Sequence, residues 1–508
     1  MPNNGKAALL SIIAPLFTIS SSGLAQDKAL PPSQSRAQLG DIPASDWGPP
    51  LIGHLANGVR FAILPRQGHE PGVALLMRNE GGFIAERRPG ERGLAHLIEH
   101  VAFHSPTVAA PGDFDHLKRI GIPLTLPAPN AGSTSWRETN YYLSTKTTSP
   151  RDIDVLLTLF RDVATGMSLR VDAVDASRGE VVREMADKKL GNEIYASYIA
   201  AIAPGSPNDR IEAQNSDDVP IASIDTIRAL YQRLHRPENM MIVVVGNVKP
   251  AETKALIEQR FEDWEGERPI SRPTAYPMFE RNRIQPISFS ALPQGRRSAL
   301  VTVMLPTPAP PSSRGRQGED DLMDLIVARA ITFRLAALQP AAPPGKVGMF
   351  IENGEQGQRQ IMLWDNFAEG RWEPAVGSLR RVTCDLTMSG FTADEWEAAK
   401  RGVMADLNHR MADMSKVTNV DLAKELSHAV ADGRYLIPPD ELFRYAQSTL
   451  PRIRRNARSG NTWWRHQWGA GVEHFRVEAP ELAKVSDPVD SIRRAANEAI
   501  AMPHCKVH

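Results

Sequence analysis

At 508 residues, with 59 Lys+Arg against 59 Asp+Glu, the chain is long enough for two to three domains and carries no net charge. That balance excludes a global field drawing it to nucleic acid or to an anionic membrane. Its two cysteines, Cys384 and Cys505, could pair in an oxidising compartment or equally stay apart, and they give no disulfide framework.

In chain order, Lys6 precedes an apolar run from Ala7 to Ile19, and Gly23-Leu24-Ala25 stand before Gln26. This predicts a signal peptide over 1–25, cleaved after Ala25, and an exported protein, periplasmic in a Gram-negative source and otherwise secreted. The run is short and interrupted by Pro15, and no later stretch reaches 18 apolar residues, so no stable membrane span is expected. Residues 26–46 read as a polar lead-in, and 47–265 as a first domain. Val73 to Met77 and Thr139 to Leu143 are strand-like. Pro89-Gly90-Glu91 reads as the first turn of a helix, in which Leu94, Leu97, Ile98 and Val101 recur at i, i+3, i+4 and i+7.

That helix carries His96-Leu97-Ile98-Glu99-His100, an H-x-x-E-H. Residues four apart share a helix face, so His96 and His100 can hold one metal ion together, while Glu99 can reach a metal-bound water without ligating. Zinc lowers the pKa of such a water to roughly 7, and a neighbouring carboxylate can take its proton. The order inverts that of the H-E-x-x-H zinc motif. Against this stands a pair of ordinary core histidines. A chance match in a chain of this composition has a probability of roughly 0.02. A third protein ligand is needed for one Zn²⁺ per chain. Val171 to Leu190 reads as a helix, acidic at its start and basic at its end. On it Glu180 and Glu184 are four apart, so that one can ligate while the other supports from outside the ligand set.

Residues 266–296 are rich in Pro and read as a linker, and Pro306 to Gln317 as a long loop. The remainder, 297–508, echoes the first domain in order. Ala299 to Leu305 is a strand, Asp320 to Leu338 a helix, and Gln358 to Trp364 a strand. Trp372 to Leu386 and Thr392 to Met411 are two further helices. This second domain has no H-x-x-E-H. Arg452 to Trp468, basic with interleaved tryptophans, could stack on single-stranded nucleic acid. The favoured reading is a segment whose aromatics dock on the domain or on a partner, and no nucleic-acid partner is expected.

These motifs together resemble the pitrilysin/insulinase family of zinc peptidases, the M16 family. Gly93-Leu94-Ala95-His96-Leu97-Ile98-Glu99-His100 resembles its G-L-A-H-x-x-E-H. Ser177 to Glu184 resembles its E-R-x-V-V-x-x-E, which implies that Glu184 is the third ligand. Asn130-Ala131-Gly132-Ser133-Thr134-Ser135 with Glu138-Thr139 resemble the strand lining the family's substrate cleft. His235-Arg236-Pro237-Glu238-Asn239-Met240, running into Val243 to Gly246, resembles Y-R-P-x-N-M…V-V-V-G. Two departures stand out. The glutamate usual seven residues before the metal-binding one is Ser177 here, and Glu180 could compensate in part. The family's Arg/Tyr pair, R-E-x-x-G-x-x-Y, is missing: His428 and Pro438 lie seven positions before Tyr435 and Tyr445.

The resemblance implies an α+β fold of two related domains, each a mostly antiparallel sheet with helices packed on one side, forming one half of a clamshell. It implies a zinc endopeptidase acting on peptides or unfolded segments. His96, His100 and Glu184 would be ligands, Glu99 the base, Asn130 and Ala131 substrate-binding, and Glu180 and Ser177 the supporting positions. A homodimer, or a heterodimer with a related M16 subunit supplying the Arg/Tyr pair, would complete the chamber. The competing readings are a catalytically weak or inactive assembly subunit of the same family, and a metal-dependent hydrolase of another small amide.

Overall fold

The computed structural model describes residues 45–499 apart from 69, 105–110, 123–131, 136, 205–215, 267–279, 293–295, 307, 339–345, 354–357 and 454–456. The elements run β1 (Leu51–His54), β2 (Arg60–Pro65), β3 (Val73–Asn79), α1 (Leu94–His104), α2 (Pro111–Arg119), β4 (Gly132–Thr134) and β5 (Thr139–Thr145). Then follow α3 (Pro150–Thr165), α4 (Val171–Ile202), α5 (Ile224–Leu234), β6 (Met240–Gly246) and α6 (Pro250–Phe261). Next come β7 (Ile287–Ser290), β8 (Ser298–Pro306), α7 (Arg314–Leu338), β9 (Val347–Asn353), β10 (Gln358–Asp365) and α8 (Trp372–Ser389). Last are α9 (Ala393–Asp413), α10 (Asn419–Ala431), α11 (Pro439–Thr449), α12 (Arg458–Gln467), β11 (Val472–Glu478) and α13 (Pro488–Glu498).

The described residues form two sheets, ordered β1-β2-β6-β3-β5-β4 and β7-β11-β8-β10-β9. Each has one parallel pair, β2 with β6 and β7 with β11, and is otherwise antiparallel. From β2 and β7 onward the connectivity is the same, so the repeat read from the order of elements is a structural one. Their central strands are continuous apolar runs: every residue of β3 and β6 is buried. Such runs belong to strands covered on both faces.

Alternation along the strands assigns those faces. Phe61, Ile63, Leu75, Met77, Ile242 and Val244 pack on helices of the first half, including Leu94, Leu97, Ile98 and Val101 of α1. Ala62, Leu64, Leu76, Met241, Val243 and Val245 point the other way, onto Leu422, Ala423 and Leu426 of α10. The second sheet does the reverse. Its outer face, with Leu300 and Met304, is covered by Tyr198, Ile199 and Ile202 at the end of α4. Each half thus closes the sheet of the other.

Four boundaries differ from the sequence expectation. α1 begins at Leu94, because Gly90 and Gly93 have φ of 85° and 84°, outside the right-handed helical region. α4 does not stop at Leu190 but continues to Ile202. A glycine such as Gly191 costs a helix about 1 kcal/mol. Burying Tyr198, Ile199 and Ile202 against the second sheet returns roughly 1.5–3 kcal/mol for each large side chain. Within the stretch read as a linker, Ile287–Ser290 is β7, which satisfies one edge of β11. Arg314 to Gln317, read as loop, is the first turn of α7. The tryptophans of the basic segment are core residues: Trp463, Trp464 and Trp468 belong to the second hydrophobic cluster, the last two stacked 4.7 Å apart.

Candidate metal centre

α1 presents two unlike faces. Leu94, Leu97, Ile98 and Val101 are buried in the core, while His96, Glu99 and His100 turn toward α4 and the edge strand β4. The start of the helix is held by Glu86, whose carboxylate accepts the backbone N–H of Gly93 (2.9 Å) and of Ala95 (2.8 Å). A carboxylate there meets the unpaired amides and the positive end of the helix dipole. Phe83, just upstream, packs edge-on against the His96 ring at 6.5 Å between centroids.

Three donor atoms from two helices converge. His96 Nε2 and His100 Nε2 are 3.2 Å apart, and Glu184 Oε2 lies 3.6 Å from the first and 3.4 Å from the second. A tetrahedral ion with bonds of about 2.0–2.1 Å separates its ligand atoms by about 3.3 Å. The observed spacings match that tetrahedron edge, and two imidazoles with one carboxylate form a donor set that suits zinc. The residues fit the ion that the sequence pattern implies. Glu184's other oxygen, Oε1, pairs with Lys188 on the next turn of α4.

Glu99 is buried beside this triangle, its Oε2 4.0 Å from His96 Nε2 and bonded by the Thr134 hydroxyl at 2.8 Å. Burial pushes its carboxyl above the usual range, partly opposed by His96 and His100. Hydrogen bonds from His100 and His96 hold the Glu184 carboxyl far below the usual range. For His100, burial favours the neutral ring, but Glu184, Glu99 and Glu180 outweigh it and raise its pKa. β4 runs directly over this site. A side chain at Gly132 would collide with Glu99 Oε1 and come within 2.8 Å of the Phe103 ring, so a Cβ there fits only if Glu99 and Phe103 move.

The structure therefore brings together His96, Glu99, His100 and Glu184, with Glu180 adjoining at His100 Nδ1 (3.2 Å). It does not bring Ser177 to the site. That residue is fully buried two turns back on α4, and its hydroxyl donates to Ala173 O within the helix. Asn130 and Ala131 lie outside the described residues, and Gly132–Thr134 is the nearest described strand. Cys505 also lies outside them. Sequence reasoning placed Thr134 on the cleft strand without its bond to Glu99, and it missed Lys188 and His104. The last was detectable, since His96, His100 and His104 repeat at the four-residue helical interval. Among the described residues, no helix is long and apolar enough to cross a membrane.

Comparison with known proteins adds the lineage. The family model for insulinase (peptidase family M16) matches residues 81–199, and that for the peptidase M16 inactive domain matches 222–331. The probable zinc protease PqqL of Escherichia coli is 28% identical over 222 residues, 41% of this chain and 22% of that protein. The zinc protease PqqE of Helicobacter pylori is 25% identical over 226 residues, covering 44% and 49%. The matched stretches thus span less than half the length of these relatives. In structure, the chain is similar to the first half of the periplasmic protease PqqL from Escherichia coli. The TM-score is 0.72 at 17% identity, over 91% of this chain and 98% of that one. Against the whole of that protease the TM-score is again 0.72, over 89% of this chain and 50% of the other.

Proposed function

Since the chain belongs to the insulinase family (peptidase family M16), we propose that it is one half of an exported zinc endopeptidase for peptides and unfolded segments. His96, His100 and Glu184 hold the ion and Glu99 moves the proton. The observation that carries this reading is the 3.2–3.6 Å triangle of donor atoms beside a buried carboxylate and beneath an edge strand. Zinc held there supplies a Lewis acid that polarises a carbonyl and lowers the pKa of water to roughly 7.

The remaining work falls to the chain's own side chains. Glu99 accepts the proton of the attacking water and later gives it to the leaving amine, a role worth about 10²–10⁴ in rate. Thr134 fixes the rotamer that keeps this carboxylate facing the ligand set. β4 pairs only with β5 among the described strands, so its outer edge can take an extended peptide as a further strand. Main-chain hydrogen bonds hold such a strand whatever its side chains, which favours selection by flexibility over selection by sequence. Export follows from Lys6, the Ala7–Ile19 run and the small residues up to Ala25.

One wall alone leaves the developing oxyanion without an opposing donor. Neither Tyr435 nor Tyr445 has an arginine seven positions before it. A partner half, a second copy or a related subunit bearing R-E-x-x-G-x-x-Y, completes the chamber. Size-exclusion chromatography with light scattering, run beside a quenched-peptide assay, tests this: a monomer of this chain with full peptidase activity ends the idea. The second reading, a weakly active or inactive assembly subunit, is favoured by the missing pair and by Ser177. Stoichiometric zinc without chelator-sensitive hydrolysis in the assembled protein would select it.

A further inference from the structure

The donor ladder continues past the proposed ligands. His96, His100 and His104 stand at successive turns of α1, and Glu184 and Glu180 at successive turns of α4, in the opposite order. Glu184 Oε2 sits between the Nε2 atoms of His96 and His100. One rung on, Glu180 Oε2 accepts from His100 Nδ1 at 3.2 Å and from His104 Nε2 at 3.0 Å. We propose that His104 is a positioning residue for the metal centre, acting through Glu180 on His100.

The argument is one of tautomer and orientation. A carboxylate accepts only, so the contact at Nδ1 commits that nitrogen of His100 to carrying the proton and leaves the Nε2 lone pair for the ion. Glu180 can do this only while its carboxylate stays in place, and its side chain is 38% exposed, free to swing into water. His104 is the second donor on the same oxygen and ties it down from the far side. Its burden is greater because His96 has no matching support: His96 Nδ1 is buried without a partner among the described residues. Ser177 supplies none either, its hydroxyl being spent on its own helix. Outer partners of this kind are worth about 10–100-fold in metal affinity.

This inference rests on the ligand set proposed above, and the test separates the two. On the full chain, Zn²⁺ affinity is measured by chelator competition, and the visible spectrum of the Co²⁺-loaded protein reports ligand geometry. Glu180→Ala is expected to weaken Zn²⁺ binding about 10–100-fold. His104→Ala is expected to weaken it by a part of that, about 3–10-fold, with a changed Co²⁺ spectrum. The double variant should bind no worse than Glu180→Ala alone, because His104 acts through Glu180. His104→Gln, which places an N–H near the same point, should stay within about twofold of the parent. Unchanged affinity and spectrum in His104→Ala, or additive losses in the double variant, overturn the proposal. Glu184→Ala serves as the arm for the underlying reading. If it binds Zn²⁺ like the parent, the ligand set is wrong. If it loses Zn²⁺ while His104→Ala does not, only the present inference fails.

Discussion

Replacing Glu99 by Gln removes a proton acceptor while conserving nearly everything else about the position. The carboxamide has the same shape, stays buried, and its oxygen can still accept the Thr134 hydroxyl that now sits 2.8 Å from Oε2. The triangle of donor atoms is untouched, because its edges are 3.2–3.6 Å and Glu99 stands outside it, 4.0 Å from His96 Nε2. What is lost is proton transfer, worth about 10²–10⁴ in rate, or about 3–5 kcal/mol of barrier. The assay is kcat on a quenched, unstructured peptide with the assembled protein, alongside zinc per chain by elemental analysis. Expected is a fall in kcat of that size with zinc unchanged at about one per chain. Hydrolysis within about tenfold of the parent would refute the assignment of the base. Loss of zinc together with activity would refute the separation of base from ligands.

Three further outcomes are expected. Glu184→Ala removes one of three donors from a site of a kind worth about 10–16 kcal/mol. A third of that, about 3–5 kcal/mol, predicts a rise in Zn²⁺ Kd of two to four orders of magnitude, and a rise below about tenfold excludes Glu184 as a ligand. Gly132→Ala should push Glu99 and Phe103 aside and cut kcat by about tenfold or more while zinc content holds; undiminished kcat would show that β4 does not bear on the base. His474 provides the pH test, since it is buried and neutral on β11, donating to Gln285 O through Nδ1 and paired with Ser288 Oγ through Nε2. Burial lowers its pKa from 6.5 to about 4. The folded state therefore binds fewer protons than the unfolded one between those values, so stability is fully present above pH 6.5 and falls as pH drops through about 4. The loss, about 3 kcal/mol, should appear as a lowered Tm across that window and be absent from His474→Gln, with equal pH profiles counting against the reasoning.

Much of the site was readable because it is local. His96, Glu99 and His100 lie within five residues, so helical periodicity alone puts them on one face, and the apolar stripe at Leu94, Leu97, Ile98 and Val101 says which face is buried. Glu184 was recoverable by motif but not by physics, since Glu180 has the same chemistry and the same spacing rule. Only the packing of α4 on α1 decides that Glu184 meets both Nε2 atoms and Glu180 meets Nδ1. Ser177 shows the converse: its place in the motif suggests a supporting role, yet its side chain is enclosed and bonded to its own helix.

Sequence by itself determined the central strands and the main helices of each half, the repeat of their order, and the pair of histidines with a carboxylate between them. These follow from hydrophobic period and from spacing, which act over a few residues. Tertiary structure alone decided that α4 runs twelve residues past Leu190, because the second sheet offers it an apolar face. It decided equally that α10 covers the first sheet, that Thr134 grips Glu99, and that His104 joins the ladder. Those contacts link residues far apart in the chain, and no local pattern records which distant surfaces will meet.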